Sequence, residues 1–131
     1  MANENKTNIN LQIALAGEAD ANQRYLAFGA RALQEGHPEI AQLFFEAAGA
    51  EAVHAHSLLL TLGAVGATAE NLHTAALGET SEIERRYPRM IAEAEAEGRQ
   101  DAVAVFRLAL DREKYHQQVF RQALSVLPQA G

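Results

Sequence analysis

Apolar residues recur along the chain at spacings of three and four, the period of helices that bury one face, and no stretch alternates as a half-buried strand would. The period runs from Leu11 through Leu15, Tyr25 and Ala32 to Gly36, predicting a first helix capped by Thr7 or Asn8. Pro38 suits a first helical turn and Glu39 sits well beside the N-terminal dipole, so a second helix opens there. It carries Ile40, Leu43, Phe44, Ala47, Ala50 and Val53 on to Leu62. Gly63 and Gly66 bracket a short link, after which Thr68 is placed to cap a third helix from about Ala69 to Gly98. A fourth runs from about Gln100 to Ser125, before Pro128. Four helices of roughly 23 to 30 residues are usual in a bundle. The expected fold class is therefore all-α, a four-helix bundle forming one domain over residues 1–131 from two hairpins, about 8–62 and 68–125.

The second half of this pattern restates the first. Gly17-Glu18 answers to Gly78-Glu79, and Arg24 to Arg85, at an offset of 61. The offset then becomes 62, pairing Tyr25 with Tyr87, Ala32 with Ala94, Glu35-Gly36 with Glu97-Gly98, Phe44 with Phe106, Glu51 with Glu113 and His54 with His116. The third helix thus holds one more residue than the first between Arg85 and Tyr87. A wide turn of the i to i+5 kind absorbs an extra residue most simply, and Pro88 removes a backbone donor nearby. The spacing predicts a bulge or kink between Glu82 and Pro88; the alternative is that Pro88 splits the helix in two.

Composition narrows the possibilities. With 48% hydrophobic and 6% aromatic residues, the chain can bury a modest core rich in Ala and Leu. A net charge of -6, with Lys and Arg scattered, argues against nucleic acid as a partner. The lack of cysteine excludes disulfides, thiolate zinc sites, cysteine-ligated iron–sulfur clusters and thiol catalysis within these residues. No run approaches the roughly 18 apolar residues of a membrane span, and the polar opening lacks an apolar signal core. No membrane association is expected, and the expected compartment is the cytoplasm.

The residues that recur are those able to bind metal. Positions i and i+3 of a helix lie about 60° apart on one face, so Glu51 with His54, and Glu113 with His116, each present a carboxylate and an imidazole together. Glu79 and Glu82 form a third such pair, whereas Glu18 stands alone because Ala21 occupies the position matching Glu82. Five carboxylates facing a core would each carry a desolvation cost of several kcal/mol, and no Lys or Arg recurs on the same faces to offset them. Two divalent cations bring +4 against the -5 of Glu18, Glu51, Glu79, Glu82 and Glu113, and oxygen and nitrogen donors suit iron or manganese. Taken singly, the motif is weak. Glu70 with His73 is a further Glu-x-x-His, roughly 13 Å along the axis from Glu79, and reads as chance, with Glu70 serving the helix dipole. His56, about 200° around the helix from His54, faces solvent, and His37 is a loop residue. For Glu51 or Glu113 alone a solvated face is the ordinary reading; their recurrence with Glu18 and Glu79 at matched spacing favours ligands.

One Glu from each of two helices and a Glu-x-x-His from each of two others is the ligand set of ferritin-like di-iron and di-manganese bundles, which the chain resembles. More narrowly, four segments resemble the ferritin-like domain of rubrerythrins, over about Asn8 to Leu124. They are Gly17-Glu18 with Tyr25, Leu43-Phe44 through Glu51-Ala52-Val53-His54, Glu79-Thr80-Ser81-Glu82 with Tyr87-Pro88, and Glu113-Lys114-Tyr115-His116. The resemblance implies a non-haem di-iron peroxidase that reduces hydrogen peroxide to water in oxidative-stress defence. It implies one iron held by Glu18, Glu51, Glu113 and either His54 or Glu82, exchanged with oxidation state. The other iron would take Glu51, Glu79, Glu113 and His116, with Glu51 and Glu113 bridging, and Tyr25 and Tyr87 would donate hydrogen bonds around the site. Two iron ions are the implied cofactor, with manganese possible in their place. Iron oxidation and sequestration as in ferritins, or a dimanganese catalase, are the alternatives; two Glu-x-x-His pairs weigh against the ferritin reading. Rubrerythrins usually carry a C-terminal rubredoxin domain with iron in four cysteines. With no cysteine here, the expected source of electrons is a separate donor such as a rubredoxin or another reductase.

The link between helices two and three departs from what such a bundle needs. There these helices run in the same direction, so the connection must return the length of the bundle. About eleven residues follow Glu51 and about eleven precede Glu79, a gap of roughly 33 Å at 1.5 Å per residue. Residues Leu62 to Ala67 span at most about 21 Å. The expected solution is a domain-swapped homodimer in which helices one and two of one chain pack with helices three and four of another. Unwinding of Thr68 to His73 to lengthen the link is the alternative.

Overall fold

The computed structural model describes residues 5–128, and every regular element among them is helical. In order these are α1 (Lys6–Gln34), α2 (Pro38–Thr61), α3 (Thr68–Ser81), a π-helical turn (Glu82–Arg86), α4 (Tyr87–Ala96) and α5 (Gln100–Val126). α3, the π turn and α4 follow without a break and together make the third helix expected from the sequence. No described helix is long and apolar enough to cross a membrane.

The helix ends follow local chemistry. Gly36, Gly63 and Gly98 adopt φ of +79°, +68° and +70°, where a side chain would be strained. In each case the next residue's N–H donates five residues back, His37 to Ala32 at 2.8 Å, Ala64 to Leu59 at 3.0 Å and Arg99 to Ala94 at 2.9 Å, closing the helix. α2 opens at Pro38 and α5 at Gln100 as expected, whereas the caps of α1 and α3 differ. α1 is capped by Asn5, whose side chain accepts from the Asn8 N–H at 3.0 Å, so Thr7 and Asn8 lie inside the first turn. α3 is preceded by Ala67, which has no side-chain oxygen to offer. Glu70 accepts from the Ala67 N–H at 2.9 Å instead, and Asn71 exchanges hydrogen bonds of 2.8 and 2.9 Å with the Gly66 backbone. At the start of α5, Arg99 holds Asp101 through bonds of 2.9 and 2.8 Å. Those bonds, with the Ala102 backbone N–H, lower the Asp101 carboxyl to about 2 and keep it charged beside the helix N-terminus.

The chain divides into two compact units between Val65 and Gly66, the boundary between the two halves of the repeat. Hairpin one is α1 with α2, closely packed around Gly29, Ala32, Ala41 and Ala48. A Cβ on Gly29 would run into the Phe45 ring, so the absence of a side chain lets α1 and α2 approach closely there. Hairpin two packs α5 on α3 and α4, with Ala76, Ala94 and Val103 buried. Ala32 and Ala94, and Ala41 and Val103, are matched positions of the repeat, so both hairpins bury the same sites near their turns. The repeat also extends to the aromatic pairs. Tyr25 packs on Phe44 with ring centres 6.1 Å apart, and Tyr87 on Phe106 at 6.2 Å. Larger apolar side chains stay exposed, among them Ile13, Leu43 and Val53 in hairpin one and Leu77, Val105 and Leu108 in hairpin two. A pair of helices forms a single layer and has no second layer of its own to cover them.

The extra residue of the third helix is absorbed where the spacing placed it. Within the turn Glu82–Arg86 the Tyr87 N–H donates to the Glu82 carbonyl, an i to i+5 bond, and Pro88 continues in the first turn of α4 without splitting the helix. Because the insertion is confined to this turn, Tyr87 meets Phe106 as Tyr25 meets Phe44.

Candidate metal centre

Each hairpin gathers one triad. In hairpin one, Glu18 from the middle of α1 meets Glu51 and His54 of α2, with His54 Nδ1 3.5 Å from Glu18 Oε2 and 3.5 Å from Glu51 Oε2. In hairpin two, Glu79 at the end of α3 meets Glu113 and His116 of α5, with His116 Nδ1 3.8 Å from Glu79 Oε1. One donor atom from each residue lies within 4.8 Å of the other two in both triads. These separations are too long for good hydrogen bonds. They approach the roughly 3.0–3.4 Å that separates adjacent ligands bound about 2.1 Å from one ion.

The donor set fits a cation on a second ground. Glu79 Oε2 is buried and accepts no hydrogen bond from the described residues. A buried carboxylate oxygen left without a donor is costly, and a metal ion satisfies it without needing a hydrogen. The glutamates of the triads are mostly buried and the two histidines about half exposed, so each triad has a closed side and an open one. The gathering follows from helix geometry. Glu51 with His54 and Glu113 with His116 share a face through their i, i+3 spacing, and the antiparallel neighbour brings the single glutamate to the same level.

Six of the seven residues singled out in the sequence belong to these triads, and Glu82 belongs to neither. Its carboxylate is held instead by the Arg86 guanidinium. The expectation that no cation offsets these carboxylates therefore fails at Glu82. The physical reason is the i, i+4 spacing of the pair, which sets Arg86 over Glu82 on one face of the helix. Glu70, His73 and His56 are exposed and in neither triad. Tyr25 and Tyr87 are half-buried in their aromatic pairs, and among the described residues neither phenol donates a hydrogen bond.

A further group escaped the sequence reading. Thr80 Oγ accepts from Gln117 Nε2 at 2.6 Å and from Arg121 at 3.3 Å, and donates to the Ala76 carbonyl at 2.9 Å. Thr80 follows Glu79 and Gln117 follows His116. On antiparallel helices a one-residue step turns about 100° in opposite senses, so both steps lead to the shared interface. The matched positions in hairpin one are Ala19, Ala55 and Leu59, which with Asn22 and Ala52 line a cavity of about 340 Å³. There the cross-helix bond is Asn22 Nδ2 to the Ala48 carbonyl, at 2.8 Å. The two triads are alike in ligands and unlike in support.

The rubrerythrin family model matches residues 10–124. The chain is 36% identical to a rubrerythrin of Porphyromonas gingivalis, over 92% of this chain and 66% of that protein. It is 33% identical to rubrerythrin-1 of Clostridium acetobutylicum, over 91% and 70%. A solved structure of fully reduced, all-ferrous nigerythrin aligns with all of this chain and 74% of that one, at 30% identity and a TM-score of 0.46. The chain spans about two thirds of the length of the curated relatives it matches. A family match over nearly the whole chain, on residues that gather into two Glu/His triads, places this protein in the rubrerythrin family.

Proposed function

We propose that the protein is a di-iron peroxidase of oxidative-stress defence, reducing hydrogen peroxide to water with electrons from a separate donor. The observation that carries this reading is the pair of repeat-related triads, one of which leaves the buried Glu79 Oε2 unpartnered. Glu18, Glu51, His54, Glu79, Glu113 and His116 would hold two metal ions, with Glu82 as a carboxylate in reserve and Tyr25 and Tyr87 beside the site. Oxygen and imidazole donors without thiolate suit iron, or manganese in its place. When bound, the two irons supply the two electrons that, with two protons, turn one hydrogen peroxide into two waters. The glutamates neutralise and space the ions, and their burial limits water on the closed side.

These residues contain no cysteine, so the centre that returns electrons lies outside them, and a rubredoxin-type donor in the cytoplasm suits that need. The reading also takes the two hairpins as parts of one ferritin-like domain, completed by exchange between two chains. Stopped-flow mixing of the diferrous protein with each oxidant tests the activity. Oxidation by peroxide is expected to be at least about tenfold faster than by oxygen, a difference of about 1.4 kcal/mol in barrier. Faster oxidation by oxygen, followed by growth of an iron mineral, would replace this reading with iron oxidation and sequestration. Peroxide disproportionation by a manganese-loaded protein without a donor would replace it with a catalase.

A further inference from the structure

The repeat is broken in two places, and the structure joins them. Glu82 stands where hairpin one has Ala21, and Arg86 is the residue without a counterpart, since the offset is 61 through Arg85 and 62 from Tyr87. The unmatched guanidinium binds the unmatched carboxylate, inside the π turn that the insertion creates. Glu82 lies one helical turn from Glu79 and is largely buried, yet it is absent from the Glu79–Glu113–His116 triad. Arg86 is more than half exposed and free to turn into solvent.

We infer that Arg86 is a positioning residue that holds Glu82 off the metal centre, so that a bound ion recruits this carboxylate only by displacing the guanidinium. The inference rests on the reading of the triads as metal sites. Its strength follows from the exposure of the guanidinium. An i, i+4 ion pair on a helix whose cation is half exposed is weak, so Arg86 is a latch that opens readily, lowering the apparent affinity about two- to fivefold. The sign is informative. Loss of a residue that only supports the helix weakens metal binding or leaves it unchanged, whereas loss of a competitor strengthens it.

Titration of the metal-free full chain with cobalt(II), in competition with a chromophoric chelator, tests this. Arg86→Met, with Arg86→Gln as a second variant should the first fold poorly, is expected to tighten cobalt binding two- to fivefold and to alter the d–d absorption as a further oxygen ligand joins. In a Glu82→Gln background the same substitution is expected to have no effect, because the carboxylate that Arg86 withholds is gone. Equal tightening in both backgrounds would show a general effect of positive charge and overturn the latch. Unchanged or weaker binding in both Arg86 variants overturns it as well, while leaving the metal reading intact. Failure of the parent chain to bind cobalt overturns the metal reading and the latch together.

Discussion

At Glu79, function and stability pull in opposite directions. Its Oε2 is buried without a hydrogen-bond donor, and the side chain shares a triad with Glu113, whose charge has the same sign. Without metal, this is a local strain on the fold. In the proposed metal-bound state the same atoms would be held by the ion, and binding to the native state alone would stabilise it. Glu79→Gln keeps the shape and removes the charge, so the metal-free variant is expected to be more stable than the parent, by about 1 kcal/mol. It should also lose most of the rise in melting temperature that metal gives the parent. Calorimetry of both proteins, with chelator and then with iron(II) or cobalt(II), measures both quantities. A Gln variant that melts lower than the parent without metal would mean that Glu79 stabilises the fold on its own account.

The elements show which features were legible in the sequence and which were not. The helix ends were legible because a glycine with positive φ leaves an unambiguous mark, and Gly36, Gly63 and Gly98 all carry one. The start of α1 was not, because Asn5, Thr7 and Asn8 all have capping side chains within one turn and only the fold selects among them. The ligand pairs were legible because i, i+3 spacing decides a face whatever the partner. The Arg86–Glu82 pair was not, because Arg86 has no counterpart in the repeat that marks out the ligands. Thr80 and Gln117 were hidden because only packing of α3 on α5 brings them together. The π turn itself makes a prediction. Deleting Arg86 together with Pro88→Leu, matching Leu26 of hairpin one, should return the turn to α-helix and leave everything beyond it in register. That variant is expected to fold cooperatively within about 1 kcal/mol of the parent. Deleting Arg89 alone should instead rotate the buried Ala94 by about 100° away from α5 and destabilise the protein severely. Thermal melts of the two deletions distinguish an insertion that was absorbed locally from one woven into the packing.

At the scale of the whole molecule, the short link decides what can assemble. α2 ends at Thr61 and α3 starts at Thr68, leaving six residues between them. Those six fall short of the roughly 33 Å that a ferritin-like arrangement within one chain needs. Lengthening the link by unwinding the start of α3 is opposed by the bonds from Glu70 to Ala67 and between Asn71 and Gly66, and the structure keeps Thr68–Ser81 helical. The exchange of hairpins proposed above would meet both constraints, would give the exposed apolar faces of each hairpin a partner and would make each metal centre a composite. Complementation reads this directly. A Glu51→Gln chain loses hairpin-one ligation and a Glu113→Gln chain loses hairpin-two ligation, so neither alone is expected to bind the full metal pair. Unfolded together and refolded as an equal mixture, about half the exchanged dimers are mixed, and each of those holds one centre built wholly from intact hairpins. Metal content should recover to about a quarter of the parent value, in a species that sediments as a dimer. Without exchange every centre carries one damaged hairpin and nothing recovers, and a monomer with full metal content in sedimentation would exclude exchange outright.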